Sequence, residues 1–244
     1  SFRFLFLIFF CLFLFFSFYL PRYSSSQTPD YSGNPYRVDT SSCIIFVGDV
    51  QLRGRPEILL GREDNKNAVR ALLKKIAEQD PSLVVILGDL TFPGSSTAAW
   101  QEFDKLAKPI HDKGIPVYPL PGNHEYFGDH AAGFEEYFSR FPNVENQLWY
   151  LKQWKDIAII TLNANFDQLS DDEIAEQNQW YYDKLRKIQA DSIIATIIVC
   201  CHQPPYSNST IVSDDRDVQK YFVSAYLKTP KAKLLFSGLC HSYA

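Results

Sequence analysis

The chain has 244 residues, 46% of them hydrophobic, and a formal charge of −4 from 24 basic and 28 acidic side chains. That length suits one domain of ordinary size with a full core. The acidic balance excludes the broad basic footprint of a nucleic-acid binder, and five cysteines in a chain this long do not make the dense disulfide framework of a small secreted scaffold.

From Phe4 to Leu20 the sequence is Phe, Leu, Ile, Cys and Tyr, relieved only by Ser17. Such a run sits at the lower limit for crossing a bilayer and also fits a long secretory signal. No small-x-small cleavage site lies near its end. Residues 1–20 therefore read as a signal anchor in preference to a cleaved signal peptide, and either one exports the domain, to a membrane-anchored or a secreted or periplasmic location. The chain contains no methionine and ends at Ala244, just after a strand-like run, so it reads as a fragment lacking its last strands. Residues 21–40, with Pro21, Ser24-Ser25-Ser26, Pro29, Gly33 and Pro35, read as a linker, and 41–244 as the domain.

Within the domain, apolar runs and helical patterns alternate. Cys43–Val47 is too short for a helix and is stopped by Gly48. Asn67–Gln79 has helical spacing, with Val69, Leu72, Leu73 and Ile76 on one face. Leu83–Leu87 reads as a buried strand, Thr97–Lys113 as a second amphipathic helix stopped by Gly114, and Ile115–Leu120 as a third strand. A short helix is expected over Gly133–Phe141, then a strand pair at Leu148–Leu151 and Ile157–Leu162. Ser170 with Glu173 makes a capping-box pattern for a helix towards Ile188. A long strand over Ile193–Cys201, a helix over Asp214–Leu227 and a strand over Lys233–Phe236 complete the pattern. Alternating strands and helices imply an α/β architecture with a largely parallel sheet. Cys43, Cys200, Cys201 and Cys240 are expected as free thiols, the strand cysteines buried, with Cys200 and Cys201 on opposite faces of their strand.

Polar clusters follow the strands: Gly48-Asp49-Val50-Gln51, Gly88-Asp89, Gly122-Asn123-His124-Glu125, Cys201-His202-Gln203-Pro204-Pro205 and Gly238-Leu239-Cys240-His241. Ligands of α/β folds gather outside the carboxyl ends of strands. Asp49 and Asp89 stand forty residues apart, and Asp89 and Asn123 thirty-four, each about one βαβ unit, so the first three clusters belong on neighbouring strand ends. Two carboxylates brought together repel unless a cation lies between them. Gln51 and Asn123 add amide oxygens, and His202 and His241 add imidazoles; this mixed set suits Mn, Fe or Zn better than Mg or Ca. His111 and His130 do not share the placement.

These motifs, with Pro204-Pro205-Tyr206-Ser207 and Ser242-Tyr243, resemble the calcineurin-like metallophosphoesterase superfamily, and within it the purple-acid-phosphatase-like branch, over about residues 43–244. The resemblance implies a four-layer α/β-β/α sandwich with two divalent metal ions between the sheets, and hydrolysis of a phosphate mono- or diester by metal-activated hydroxide. It implies that Asp49, Gln51, Asp89 and His241 hold the first metal, and Asp89, Asn123 and His202 the second, while His124 is catalytic and not a ligand. Three positions depart from the family pattern. Gln51 stands where histidine is usual, Phe92 where purple acid phosphatases have a tyrosine ligand, and Leu239 where the first histidine of Gly-His-x-His would bind the second metal. An alkyl group cannot coordinate, so a weakened second site and a catalytically impaired binding relative form the alternative expectation.

Overall fold

The structure, a computed structural model, describes residues 28–54, 59, 61 and 63–240. The apolar segment 1–20, residues 21–27 and His241 lie outside the described residues. Among those described, no helix is long and apolar enough to cross a membrane.

The first half of the domain runs β1 (Ile44–Val47), α1 (Lys66–Gln79), β2 (Leu83–Leu87), α2 (Thr97–Asp112), β3 (Val117–Leu120) and α3 (His130–Arg140). Its strands form a parallel sheet in the order β1-β2-β3. All five residues of β2 are buried, as a central parallel strand covered on both faces requires. Val69, Leu73 and Ile76 of α1, and Trp100, Phe103, Leu106 and Ile110 of α2, recur at helical spacing and close over this sheet. Leu72, expected with them, lies on the rim and is 38% exposed. Pro119 is tolerated because, among the described strands, β3 pairs with β2 alone.

The second half runs β4 (Tyr150–Trp154), β5 (Ile157–Thr161), α4 (Asp171–Ala190), β6 (Thr196–Cys201), α5 and β7 (Ala232–Ser237). Here α5 joins Arg216–Val218, a π-helical stretch Gln219–Val223 and Ser224–Tyr226. The second sheet has the order β4-β5-β6-β7, with β4 antiparallel to β5 and the other pairs parallel. Instead of one largely parallel sheet, the chain therefore builds two, and the second is mixed. The capping box of α4 is complete: the Ser170 side chain accepts the Glu173 N–H while Glu173 accepts the Ser170 N–H.

Alternation along β5 and β6 separates the layers. Ile159, Ile198 and Cys200 face the core shared with the first sheet, where Phe46 lies 4.5 Å from Phe236 between ring centroids. Ala158, Ile160, Ile197, Val199 and Cys201 face the other way, onto Tyr181, Leu185 and Ile188 of α4 and Phe222 of α5. The result is helix, sheet, sheet, helix: the four-layer α/β-β/α sandwich. Cys200 and Cys201 do point to opposite faces, and both are buried. Cys43, expected in a core strand, is exposed, because β1 begins after it and its place is at the sheet edge.

Two further boundaries differ from expectation. The strand read from Ile193 begins at Thr196; Ile193 is 69% exposed, and its N–H donates to the Asp191 side chain in the turn that ends α4. In the described part of the segment read as a linker there is no helix or strand, yet Tyr31 is buried against Phe103 and Phe141. Its N–H donates to Arg140 O and its carbonyl accepts the Val117 N–H, so this stretch is fastened to α3 and β3. At the opposite side β1 and β7 border a cavity of about 1060 Å³ that reaches Asp49.

Candidate metal centre

Asp49, Asp89 and Asn123 follow β1, β2 and β3, three adjacent parallel strands, so they emerge side by side at one sheet edge. Asp49 and Asp89 adopt left-handed backbone, with φ of 57° and 54°, a conformation that aspartate tolerates better than most residues. Gly88, at φ 85°, permits the close approach of the second sheet. A Cβ there would stand 2.5 Å from His202 Nδ1 and 2.7 Å from the Gly122 backbone. A Cβ on Gly122 would strike Asp89 Oδ1.

His202 arrives from the end of β6 in the second sheet. It and Asp49 and Asp89 each offer one ligand atom, all within 4.8 Å of one another. Asp89 is the centre of the group and is fully buried. Its Oδ2 lies 3.4 Å from His202 Nε2 and 3.7 Å from His124 Nε2, and accepts from Gln51 Nε2 at 3.4 Å. Its Oδ1 accepts the His124 N–H at 3.0 Å. Asn123 Oδ1 lies 3.2 Å from His202 Nε2. His202 Nδ1 lies 2.7 Å from Leu87 O; a carbonyl only accepts, so Nδ1 carries a proton and Nε2 is the ring atom turned towards the cluster.

The electrostatics ask for positive charge. Burial alone would push the His202 imidazole down, but the Asp89 bond and the charges of Asp89 and Asp49 raise it to about 9. Burial also pushes Asp89 up, and the bonds and charges of His202 and His124 together more than offset this, leaving its carboxyl below the ordinary range. Gln51 Oε1 and His124 Nδ1 are buried without a hydrogen-bond partner. Orphaned polar atoms of this kind cost about 1–3 kcal/mol each unless something meets them.

The structure thus brings Asp49, Gln51, Asp89, Asn123, His124 and His202 together, while His241 lies outside the described residues. Leu239 is present at the same edge: its N–H donates to Asp49 Oδ1 at 3.1 Å, and its side chain offers no donor atom. Cys201 is buried with its Sγ 3.2 Å from Gln203 O, and burial pushes the thiol up to about 12, which removes any thiolate nucleophile at neutral pH.

Two supporting groups lie outside the donor set expected from the sequence. Glu125 is 2% exposed, and its carboxylate accepts the backbone N–H groups of Asp89, Leu90, Thr91 and Gly122 at 2.7–3.3 Å. It therefore clamps the β2 and β3 loops together; burial and the Asp89 charge push its pKa up to about 7 against those four donors. The second group is a chain of amides, fully buried at Asn163, Asn165 and Gln177 and half-buried at Gln203. Asn163 donates to Tyr126 Oη at 2.7 Å, Asn165 to Asn163 Oδ1 at 2.9 Å, and Gln203 to Asn165 Oδ1 at 2.8 Å, with Gln177 of α4 bonded to both main-chain groups of Asn163. This chain joins the turn that carries His124 to the loop that carries His202. The sequence does carry a signal for it, polar residues just past an apolar strand, here Asn163 and Asn165 after β5.

The sequence model of the family described as calcineurin-like phosphoesterase matches residues 44–238. Purple acid phosphatase 22 of Arabidopsis thaliana is 25% identical over 185 residues, covering 71% of this chain and 41% of that protein. A protein of Arcobacter nitrofigilis named as the glycerophosphodiester phosphodiesterase GpdQ is 23% identical over 165 residues, covering 66% of this chain and 57% of its own length. The chain therefore spans about half the length of these curated relatives. A dimetal phosphatase from Danio rerio shares the fold, with a TM-score of 0.59, 13% identity and 81% of each chain covered. The match takes in both sheets and every described strand-end cluster up to Gly238, and the chain belongs to the calcineurin-like phosphoesterase family.

Proposed function

We propose that this chain hydrolyses a phosphate mono- or diester with the help of two divalent cations. The observation that carries the reading is Asp89, a fully buried carboxylate at the junction of two sheets with Asp49, His202, Asn123 and Gln51 around it. The donor set fits transition-metal ions. It combines carboxylate and amide oxygens with an imidazole whose Nε2 is presented by the Leu87 bond, and it leaves the Gln51 Oε1 lone pairs unmet inside the protein. In this reading Asp49, Gln51, Asp89 and His241 hold one cation, and Asp89, Asn123 and His202 the other, with Mn, Fe or Zn the favoured metals. Bound there, the cations would offset phosphate charge and supply an activated water.

The remaining work falls to the chain itself. Glu125 holds the β2 and β3 loops at fixed separation, so that Asp89 and Asn123 keep their spacing. His124 is the proton donor to the leaving oxygen: its ring is 27% exposed at the rim of the cluster, with its Nε2 3.7 Å from Asp89 Oδ2. Export of the domain behind the apolar run 4–20, as an anchor or a secreted protein, belongs to the same reading and is supported by that run's composition. Leu239 favours a second reading, in which the site binds fewer than two metals and the domain serves for binding.

Assay of the whole chain with 4-nitrophenyl phosphate and its bis-ester in Mn²⁺ tests the first reading. Asp89→Asn should lower turnover about 100-fold or more, since it removes the buried carboxylate that would help hold both cations. Unchanged turnover in that variant would overturn the assignment. Elemental analysis giving one metal or none per chain, together with no turnover, would favour the binding reading.

A further inference from the structure

An aromatic wall stands beside His124 and takes no part in the metal cluster. The Phe92 ring meets the His124 ring edge-on with centroids 4.6 Å apart, and the Phe127 ring lies 5.1 Å from Phe92 and 6.2 Å from His124. Phe127 is 55% exposed. An isolated exposed phenylalanine is ordinary, but this one rides on a locked backbone. Its N–H donates to His124 O at 3.2 Å, and its carbonyl accepts the Ser95 N–H at 3.3 Å. The Gly94 N–H donates to the same His124 carbonyl, and Trp100 Nε1 holds Gly94 O at 2.7 Å. A Cβ on Gly94 would collide with the Glu125 backbone, so the two loops touch main chain to main chain. The backbone that carries the exposed ring is therefore fixed before any ligand arrives, which lowers the entropic cost of using it.

We propose that Phe127 and Phe92 form the subsite for the alcohol portion of the ester, and that this portion is an uncharged aromatic group. The inference rests on the reading of His124 as proton donor to the leaving oxygen. Whatever that oxygen carries must then lie against His124, and the aromatic rings packed beside His124 are those of the two phenylalanines. Neither stretch 91–96 nor 124–130 contains a lysine or arginine, and Asp129 adds negative charge, so a second phosphate or a carboxylate on the alcohol finds no counter-charge in these loops. A flat apolar ring, by contrast, stacks on Phe127 and excludes water from the leaving oxygen.

Calorimetry on the whole chain in Mn²⁺, with benzylphosphonate and methylphosphonate as non-hydrolysable probes, separates the outcomes without relying on turnover. The wild-type chain should bind benzylphosphonate about tenfold more tightly than methylphosphonate. Phe127→Ala should bring that ratio close to one, and Phe127→Tyr should keep it. Because Phe127 is exposed, the alanine variant should melt with the wild type, and its melting curve checks this. A wild-type ratio near one, or a ratio that persists in Phe127→Ala, overturns the subsite while leaving the phosphoesterase reading intact. Binding of neither probe overturns both.

Discussion

Leu239 adopts φ 64°, in the left-handed region where a leucine side chain crowds its own backbone. Residues held in this way cost about 1–3 kcal/mol and persist only where the surroundings over-determine them. Here the Leu239 N–H is held by Asp49 Oδ1, and a Cβ on the preceding Gly238 would stand 2.6 Å from Leu87 O, so the turn is fixed from both sides. Histidine tolerates this backbone better than leucine and adds an imidazole at the metal edge. Leu239→His should therefore raise the metal content per chain towards two, read by elemental analysis after dialysis, with no loss of thermal stability. No gain in metal would show that the lack of an imidazole at this position is not what limits the second site. The residue types at Asp49, Asp89, Asn123 and His202 were legible as donors because each follows a strand. The role of Glu125 was not, since a carboxylate in a loop gives no sign that four backbone N–H groups will converge on it.

At the scale of elements, α2 and α3 are tied by Arg140, a buried guanidinium 3% exposed at its side chain. It donates to Asp104 of α2 at 2.9–3.2 Å and to Glu136 of α3 at 2.6 Å, and it lies over the Trp100 ring. Both helices contribute side chains to the core of the first sheet, Trp100 and Phe103 from α2 and Tyr137 from α3, so the tie also steadies the loops before and between them. Burial pushes Glu136 up, and the bonds from Thr97 and Arg140 outweigh it, leaving its carboxyl below the ordinary 4.5. A carboxylate depressed in the folded state contributes stability that is fully present above its unfolded value and is lost as pH falls through its folded value. The urea midpoint should thus lose this contribution only as pH falls below about 4.5, and Glu136→Gln should lower the midpoint at neutral pH while making the acid decline shallower. An unchanged acid decline would show that other carboxylates carry it. Helices α1, α2 and α4 were readable from 3.6-residue periodicity and caps. The start of β6 was not, because Ile193 and Ile194 are as apolar as the strand itself and only the turn after α4 exposes the first of them.

Across the whole molecule, the candidate metal cluster lies at the carboxyl ends of strands from both facing sheets: Asp49, Asp89 and Asn123 come from the first and His202 from the second. A cation bound there joins the halves of the sandwich, and any ligand that binds only the folded state stabilises it by mass action. At a hundredfold excess over its dissociation constant the gain is about 2.7 kcal/mol. Mn²⁺ should accordingly raise the melting temperature by several degrees and a chelator should reverse the rise, measured by calorimetry; a melting curve indifferent to both would argue against metal binding between the sheets. The order of apolar runs and polar strand ends already established an α/β chain with donors at successive strand termini, because strand and helix periodicities and the reach of a βαβ unit are local properties. Splitting into two sheets was beyond that reading: a strand's period shows that alternate faces differ, but not whether its neighbour across the core is a helix or another sheet. Nor could periodicity bring Asn163, Asn165 and Gln203 into one hydrogen-bonded line. Their hydrogen bonds span about forty residues and exist only once both sheets and α4 have packed, since amides find each other inside the core only when nothing else, water included, is left to pair with.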